Sequence, residues 1–301
     1  MFRAWLELAR ISNLPTVWTN VTAGWLLAGG ALNSPDLLWL LLGGSLLYTG
    51  GMILNDAADV RFDREHRKER PIPGGRVSLL SAWSVGLGML AAGWGFAVGC
   101  GGSDWRITTA LVACILFYDF YHKPWSGAVW VMGLCRTLLF LMPGASRLPG
   151  DTGFGASAGL LSAVALGLYV AGLTLVARME ARKAAVPAFS LVAARALLMM
   201  PVIPAMMAVI SSDRWKSLLI LADFSPLVPW VVLLVFVGWV AHALRILRRG
   251  GPAIGQAVGL MLAGIPLVDA LAVSSVQPSL ALGFVLMPPL LRFWQRWVAA
   301  T

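Results

Sequence analysis

Apolar runs of about twenty residues follow one another from one end of the chain to the other, separated by short polar links. They fall near residues 14–32, 37–56, 78–100, 105–121, 126–146, 156–178, 187–210, 226–246 and 254–273. A helix of about twenty apolar residues crosses a bilayer. None of these runs shows the ten-residue alternation of a membrane barrel strand. The pattern predicts an all-α, polytopic membrane bundle of about nine spans, folded as a single domain over residues 1–301. A tenth segment, 279–297, is apolar at first and then amphipathic, so it either spans or lies at the interface. Proline and glycine punctuate most of the links, as helix breakers do. Glu7 and Arg10 interrupt the first apolar stretch, which therefore does not read as a cleavable signal.

Composition strengthens this picture. Only 12% of the residues are charged and 58% are hydrophobic, whereas a soluble domain carries about 25% charged residues. A soluble fold, a disordered chain and a disulfide scaffold are excluded. Cys100, Cys114 and Cys135 form no metal-ligand spacing and read as small packing residues. The formal net charge of +9 is unevenly placed. One set of alternate loops holds Arg3, Arg10, Arg61, Arg64, Arg67, Lys68, Arg70, Arg76, Lys123, Arg178, Arg182, Lys183, Arg245, Arg248 and Arg249. The other holds Arg106, Arg147, Arg214 and Lys216. The positive-inside rule then predicts a cytoplasmic N-terminus in a bacterial inner membrane. It also accounts for the basic charge without a nucleic-acid partner.

Acidic residues are scarce, and five of the fourteen lie between Asp56 and Glu69. If the helix of the second span continues, Asp56, Asp59 and Asp63 fall at i, i+3 and i+7 on one face, with Asn55 one turn before Asp59. Like charges so arranged repel unless cations sit among them. Hard oxygen donors at this spacing suit Mg²⁺, which keeps waters and bridges to phosphates. Six basic residues from Arg61 to Arg76 could clamp diphosphate oxygens. A solvated mixed-charge interface loop is the plainer alternative. Arg136 and Arg195 lie within predicted spans, where a charge is costly, and are expected to face the bundle interior. Asp119, near the rim of the fourth span, reads as an interface charge, with a proton acceptor for the second substrate as the alternative.

Asn55-Asp56-x-x-Asp59-x-x-x-Asp63 resembles the first aspartate-rich motif of the UbiA superfamily of intramembrane prenyltransferases. Arg70-Pro71-Ile72-Pro73-Gly74-Gly75-Arg76-Val77-Ser78 resembles the basic follower of that motif, and Tyr118 to Lys123 resembles the family's Tyr…Lys segment. The resemblance implies a helical bundle around a central cavity open to the membrane. It implies Mg²⁺-dependent transfer of a prenyl group from a polyprenyl diphosphate to a small hydrophobic or aromatic acceptor. By position it makes Asn55, Asp56, Asp59 and Asp63 the metal and diphosphate ligands, the three aspartates being catalytic. Lys123 becomes a diphosphate ligand, with Arg10 and Arg70 as further phosphate contacts.

The family's second aspartate motif belongs at the end of the sixth span. This chain reads Arg178-Met179-Glu180-Ala181-Arg182 there. Glu180 is the one carboxylate left to ligate metal, and Arg178 and Arg182 stand where acids are expected. Two consequences are open: the arginines neutralise the departing diphosphate, or the site binds a phosphorylated lipid without ionising it. This stretch, with Gly133-Leu134-Cys135-Arg136, also resembles the divergent EboC-like subgroup, whose members are linked to making or exporting a small metabolite.

Overall fold

The computed structural model describes residues 2–123, 125–144, 154–182, 188–210 and 225–297, with the side chains at 154–157, 179–182 and 188–190 left out. Every regular element among the described residues is helical. Helix α1 (Phe2–Leu8) leads through a short turn into α2 (Leu14–Leu27). Then come α3 (Pro35–Ala58), α4 (Val60–His66), α5 (Leu79–Gly95), α6 (Trp105–Tyr121), α7 (Ala128–Leu141) and α8 (Phe154–Arg182). The second half holds α9 (Ala188–Met199), α10 (Val202–Ile210), α11 (Val228–Leu247), α12 (Ala253–Ala263), α13 (Ile265–Val273), α14 (Pro278–Val285) and α15 (Met287–Trp294). Among the described residues six stretches are long and apolar enough to cross a membrane: 35–58, 79–100, 158–178, 191–210, 225–247 and 253–273. Residues 128–141 and 278–294 form shorter apolar helices.

The helix starts follow from local chemistry. Ser34 caps α3 by accepting from the Asp36 amide at 3.3 Å, with Pro35 at the first turn. Ser78 caps α5 through the Ser81 amide at 3.0 Å, and Asp104 caps α6 through the Arg106 amide at 2.7 Å. Three predicted spans are each two helices in series. They break at Met200-Pro201, at Gly264 ahead of Pro266, and at Leu286 ahead of Pro288, because proline removes a donor and crowds the preceding turn. The tenth segment is such a pair. Its second half, α15, packs back along α12: Arg292 lies over Gly259, and Gln295 donates to Asn13 at 3.4 Å. It is therefore part of the bundle.

Small residues set close helix contacts. α3 and α5 cross at Gly43 and Gly93, where a Cβ on either would come within 2.9 Å of the other's carbonyl oxygen. Such approach is a common way to pack helices in lipid, where burial from water drives nothing. Three apolar cores result among the described residues, a small one around Leu8, Ile53 and Ile72 and two larger ones. Of the larger two, one, around Trp25, Leu40, Leu47 and Leu139, joins α2, α3 and α7. The other, around Tyr169, Phe236, Met261 and Leu267, joins α8, α11, α12 and α13. Between the two larger cores lies a cavity.

Candidate diphosphate site and cavity

The backbone at Asp59 decides how the acidic motif is presented. α3 ends at Ala58 and α4 begins at Val60, yet the Asp59 amide still bonds to the Asn55 carbonyl and the Asp63 amide to the Asp59 carbonyl, both at 3.0 Å. The helical path is nearly unbroken. Asp56 and Asp63, seven residues apart, accordingly share one partner: Arg70 Nη1 lies 2.9 Å from Asp56 Oδ1 and 2.9 Å from Asp63 Oδ2. Arg70 reaches them from a tight coil in which Pro71 accepts from the Arg76 and Val77 amides and Gly75 takes a φ of 69°.

A second cation comes from the other side of Asp56. Arg10 sits in the left-handed region, with φ at 44°, which a non-glycine residue adopts at a cost. The turn sends its guanidinium to Asp56 Oδ1 at 3.3 Å. Asp59 turns toward α6. Its carboxylate is 2.7 Å from Lys123 Nζ and 3.4 Å from His122 Nε2. Lys123 also stands 3.9 Å over the Phe62 ring, a cation–π contact that fixes its direction. Asn55 uses its amide nitrogen to donate to Asp119 at 3.1 Å, leaving its oxygen unused.

The charge states follow. Burial would raise the Asp59 carboxyl, but the hydrogen bonds and charges of His122 and Lys123 outweigh it, and the net direction is down. Burial raises Asp63, and the Arg70 charge does not fully offset it. Burial opposes the charge on Arg10, yet Asp56 and its neighbours leave that pKa raised.

Among the described residues no three acid, histidine or cysteine side chains converge to enclose a cation. The reason is visible: each carboxylate of the motif is occupied by a basic group. Mg²⁺ does not need a protein cage, because one or two carboxylates with substrate phosphate and water are enough. Asp56, Asp59 and the Asn55 oxygen are hard oxygen donors of the kind such an ion takes once their basic partners are displaced.

Below this rim opens a cavity of about 200 Å³. Arg10, Asn13, Tyr48, Tyr118, Asp119 and Arg136 supply its polar lining, and Leu47, Leu111, Ile115, Leu139, Val170 and Leu173 much of the apolar wall. Asp119 is buried there, and its Oδ2 has no hydrogen-bond partner among the described residues. The interface charge expected at the rim is corrected: the helix turn of α6 directs Asp119 inward against Asn55. Sequence reading gave Asp119 a minor place because neighbouring Tyr118 and Tyr121 mark a membrane edge but not a direction.

Arg178 also differs from expectation. Its guanidinium donates to the backbone carbonyls of His122 at 3.0 Å, Trp125 at 3.1 Å and Ser126 at 2.9 Å. It holds the chain segment that carries Lys123 and points away from the carboxylates. The side chains of Glu180 and Arg182 lie outside the described residues.

Comparison with known proteins agrees with this layout. The model of the UbiA prenyltransferase family matches residues 16–265. A digeranylgeranylglyceryl phosphate synthase of Methanopyrus kandleri is 40% identical over 95 residues, covering 32% of this chain and 35% of that protein. A 4-hydroxybenzoate octaprenyltransferase of Stutzerimonas stutzeri is 28% identical over 146 residues, covering 44% of this chain and 49% of that one. The chain thus spans about a third to a half of the length of these curated relatives. Among solved structures, a UbiA homolog from Aeropyrum pernix superposes with a TM-score of 0.60 at 18% identity, over 87% of this chain and 96% of that one. Another from Archaeoglobus fulgidus, bound to GPP and Mg²⁺, gives 0.57 at 15% identity, over 94% and 99%. Over residues 16–265, which hold the acidic motif and most of the cavity wall, the match shows that the chain belongs to the UbiA prenyltransferase family.

Proposed function

We propose that this protein moves a prenyl group from a polyprenyl diphosphate to a small hydrophobic or aromatic acceptor, as one membrane-embedded domain with its site on the cytoplasmic face of a bacterial inner membrane. The observation that carries the reading is the placement of the Asn55–Asp56–Asp59 donor set, ringed by Arg10, Arg70 and Lys123, at the mouth of an apolar cavity. One relative is named an octaprenyltransferase and another a digeranylgeranylglyceryl phosphate synthase, and a homologous structure holds GPP with Mg²⁺.

Mg²⁺ bound at Asp56 and Asp59 would neutralise diphosphate charge and favour loss of the leaving group. The protein's own groups do the rest. Lys123 exchanges Asp59, and Arg10 and Arg70 exchange Asp56, for diphosphate oxygens. Tyr48 and Tyr118 line the cavity below, where aromatic electrons would stabilise an allylic cation. The apolar walls keep water from the cation. Asp63, held by Arg70, keeps that guanidinium at the rim.

The test uses the protein in nanodiscs, with Mg²⁺, a panel of prenyl diphosphates of different chain length and a panel of aromatic and lipid acceptors, following diphosphate release. Release that needs Mg²⁺ supports the reading; no release from folded protein with any pair argues against it. A second reading, a UbiA-like component for the synthesis, transport or assembly of a secondary metabolite, as the EboC-like resemblance suggests, is favoured by Arg178. That arginine stands where a second acid motif is expected and is committed to the loop. Under that reading Asp59→Asn leaves the metabolite's appearance in cells unchanged.

A further inference from the structure

Arg136 has no task in the diphosphate chemistry above. It lies eight residues past the start of α7, buried, with its guanidinium lining the cavity. Its charge centre stands 5.5 Å from the Tyr48 ring. Tyr48 precedes Asn55 by seven residues on the same helix, so Arg136 sits about 10 Å below the rim at 1.5 Å per residue.

The hydrogen bonding of Arg136 is incomplete in a specific way. Nη1 donates to Asn20 Oδ1 at 2.8 Å, and Asn20 Nδ2 donates to Asp269 Oδ2 at 2.7 Å. An amide is inserted between the two charges. A direct bidentate Arg–Asp pair would use up the planar edge of the guanidinium, and the relay through Asn20 does not. Here Asn20 orients the guanidinium and Asp269 balances it at a distance. The Nε and Nη2 donors have no hydrogen-bond partner among the described residues, and they belong to a side chain that faces the cavity. A planar pair of N–H donors in an apolar pocket matches the two oxygens of a carboxylate or phosphate. A cavity of 150 Å³ holds a benzene ring, so the 200 Å³ here has room for one small ring or a glycerol unit with its charged group.

We propose that Arg136, oriented by Asn20 and Asp269, anchors an anionic group, carboxylate or phosphate, on the acceptor. The acceptor's nucleophilic end then points up toward the rim. This rests on the prenyl-transfer reading for the word acceptor, but the anion site itself is testable without turnover.

The experiment measures equilibrium binding to the full chain in nanodiscs with two matched probe pairs. These are 4-hydroxybenzoate against 4-hydroxybenzamide, and an alkylglycerol phosphate against the uncharged alkylglycerol. The wild type is expected to prefer the anion by about tenfold or more in one pair, and that pair says whether the source is a small acid or a lipid headgroup. The double variant Arg136→Met with Asp269→Asn removes both charges together, so no buried charge is left unpaired. It should keep the wild-type gel-filtration profile and lose the preference. Should it aggregate, Arg136→Lys decides: it keeps the charge but loses the planar edge, and the preference should fall about three- to tenfold. A wild type without preference in either pair overturns the proposal, as does a folded variant that keeps it. Absent diphosphate release with anion preference intact would fail the prenyl-transfer reading alone.

Discussion

Asp59 is where charge, burial and partner choice meet. Its carboxyl is held ionised by His122 and Lys123 despite its burial, so it enters the reaction as an anion ready to change partner. Asp59→Asn keeps the shape and removes the charge that both Lys123 and a metal require. Diphosphate release should fall by about a hundredfold or more, with the detergent-solubilised protein still monodisperse. Lys123→Ala should instead act on the leaving group, lowering turnover about ten- to a hundredfold. Both are read by a coupled diphosphate assay, and near-wild-type rates would remove these residues from the chemistry. The aspartates stood out as candidates in the sequence because their signal is local: acids one and two turns apart at the end of an apolar run. Lys123 entered only through the resemblance of Tyr118 to Lys123 to the family's Tyr…Lys segment. Asp119 and Arg136 were visible as anomalies but not as site residues. Their meaning depends on Asn55, Asn20 and Asp269, which are distant in the chain and which no spacing connects.

At the level of elements, the positions of the apolar spans were readable, while their breaks and contacts were not. Pro201, Gly264 with Pro266, and Pro288 interrupt stretches that hydropathy alone reads as continuous, because a proline leaves the apolar run intact while removing a helix donor. The role of Arg178 was not readable, because a guanidinium on three backbone carbonyls leaves no pattern in sequence. That clamp ties α8 to the segment between α6 and α7. Arg178→Met should therefore act through Lys123. The expected result is a rise in donor KM of about three- to tenfold with a smaller change in kcat, while the thermal midpoint moves little. A direct phosphate ligand would show instead as a large loss in kcat. The glycine seam makes a different prediction. Gly93→Leu forces a side chain into the Gly43 carbonyl across α3 and should cost about 1–3 kcal/mol, read as a lower thermal midpoint. The same change at Gly88, also on α5 but with open space where a Cβ would point, should be nearly silent.

For the whole molecule, the distribution of charge and the packing of helix ends state the same thing independently. The loops rich in Arg and Lys were grouped by counting alternate links. The contacts join many of them physically: Arg10 to Asp56, Arg76 to Glu7 at 2.8 Å, Lys123 to Asp59, and Arg178 to the Lys123 segment. Gln295 reaching Asn13 adds the end of the tenth segment to the same group. One end of the bundle therefore gathers the proposed diphosphate site and many of the basic residues, and the positive-inside rule predicts that this end faces inward. The expected topology has the Arg67 loop inside and the start of α6 at Arg106 outside. Single cysteines at Arg67 and Arg106, in a background with Cys100, Cys114 and Cys135 replaced, test it in intact cells. A membrane-impermeant maleimide should label position 106 and spare position 67 until the cells are opened. Labelling of position 67 from outside would invert the bundle and put the diphosphate site beyond the reach of a cytoplasmic donor, so the prenyl-transfer reading depends on this orientation as much as on any carboxylate.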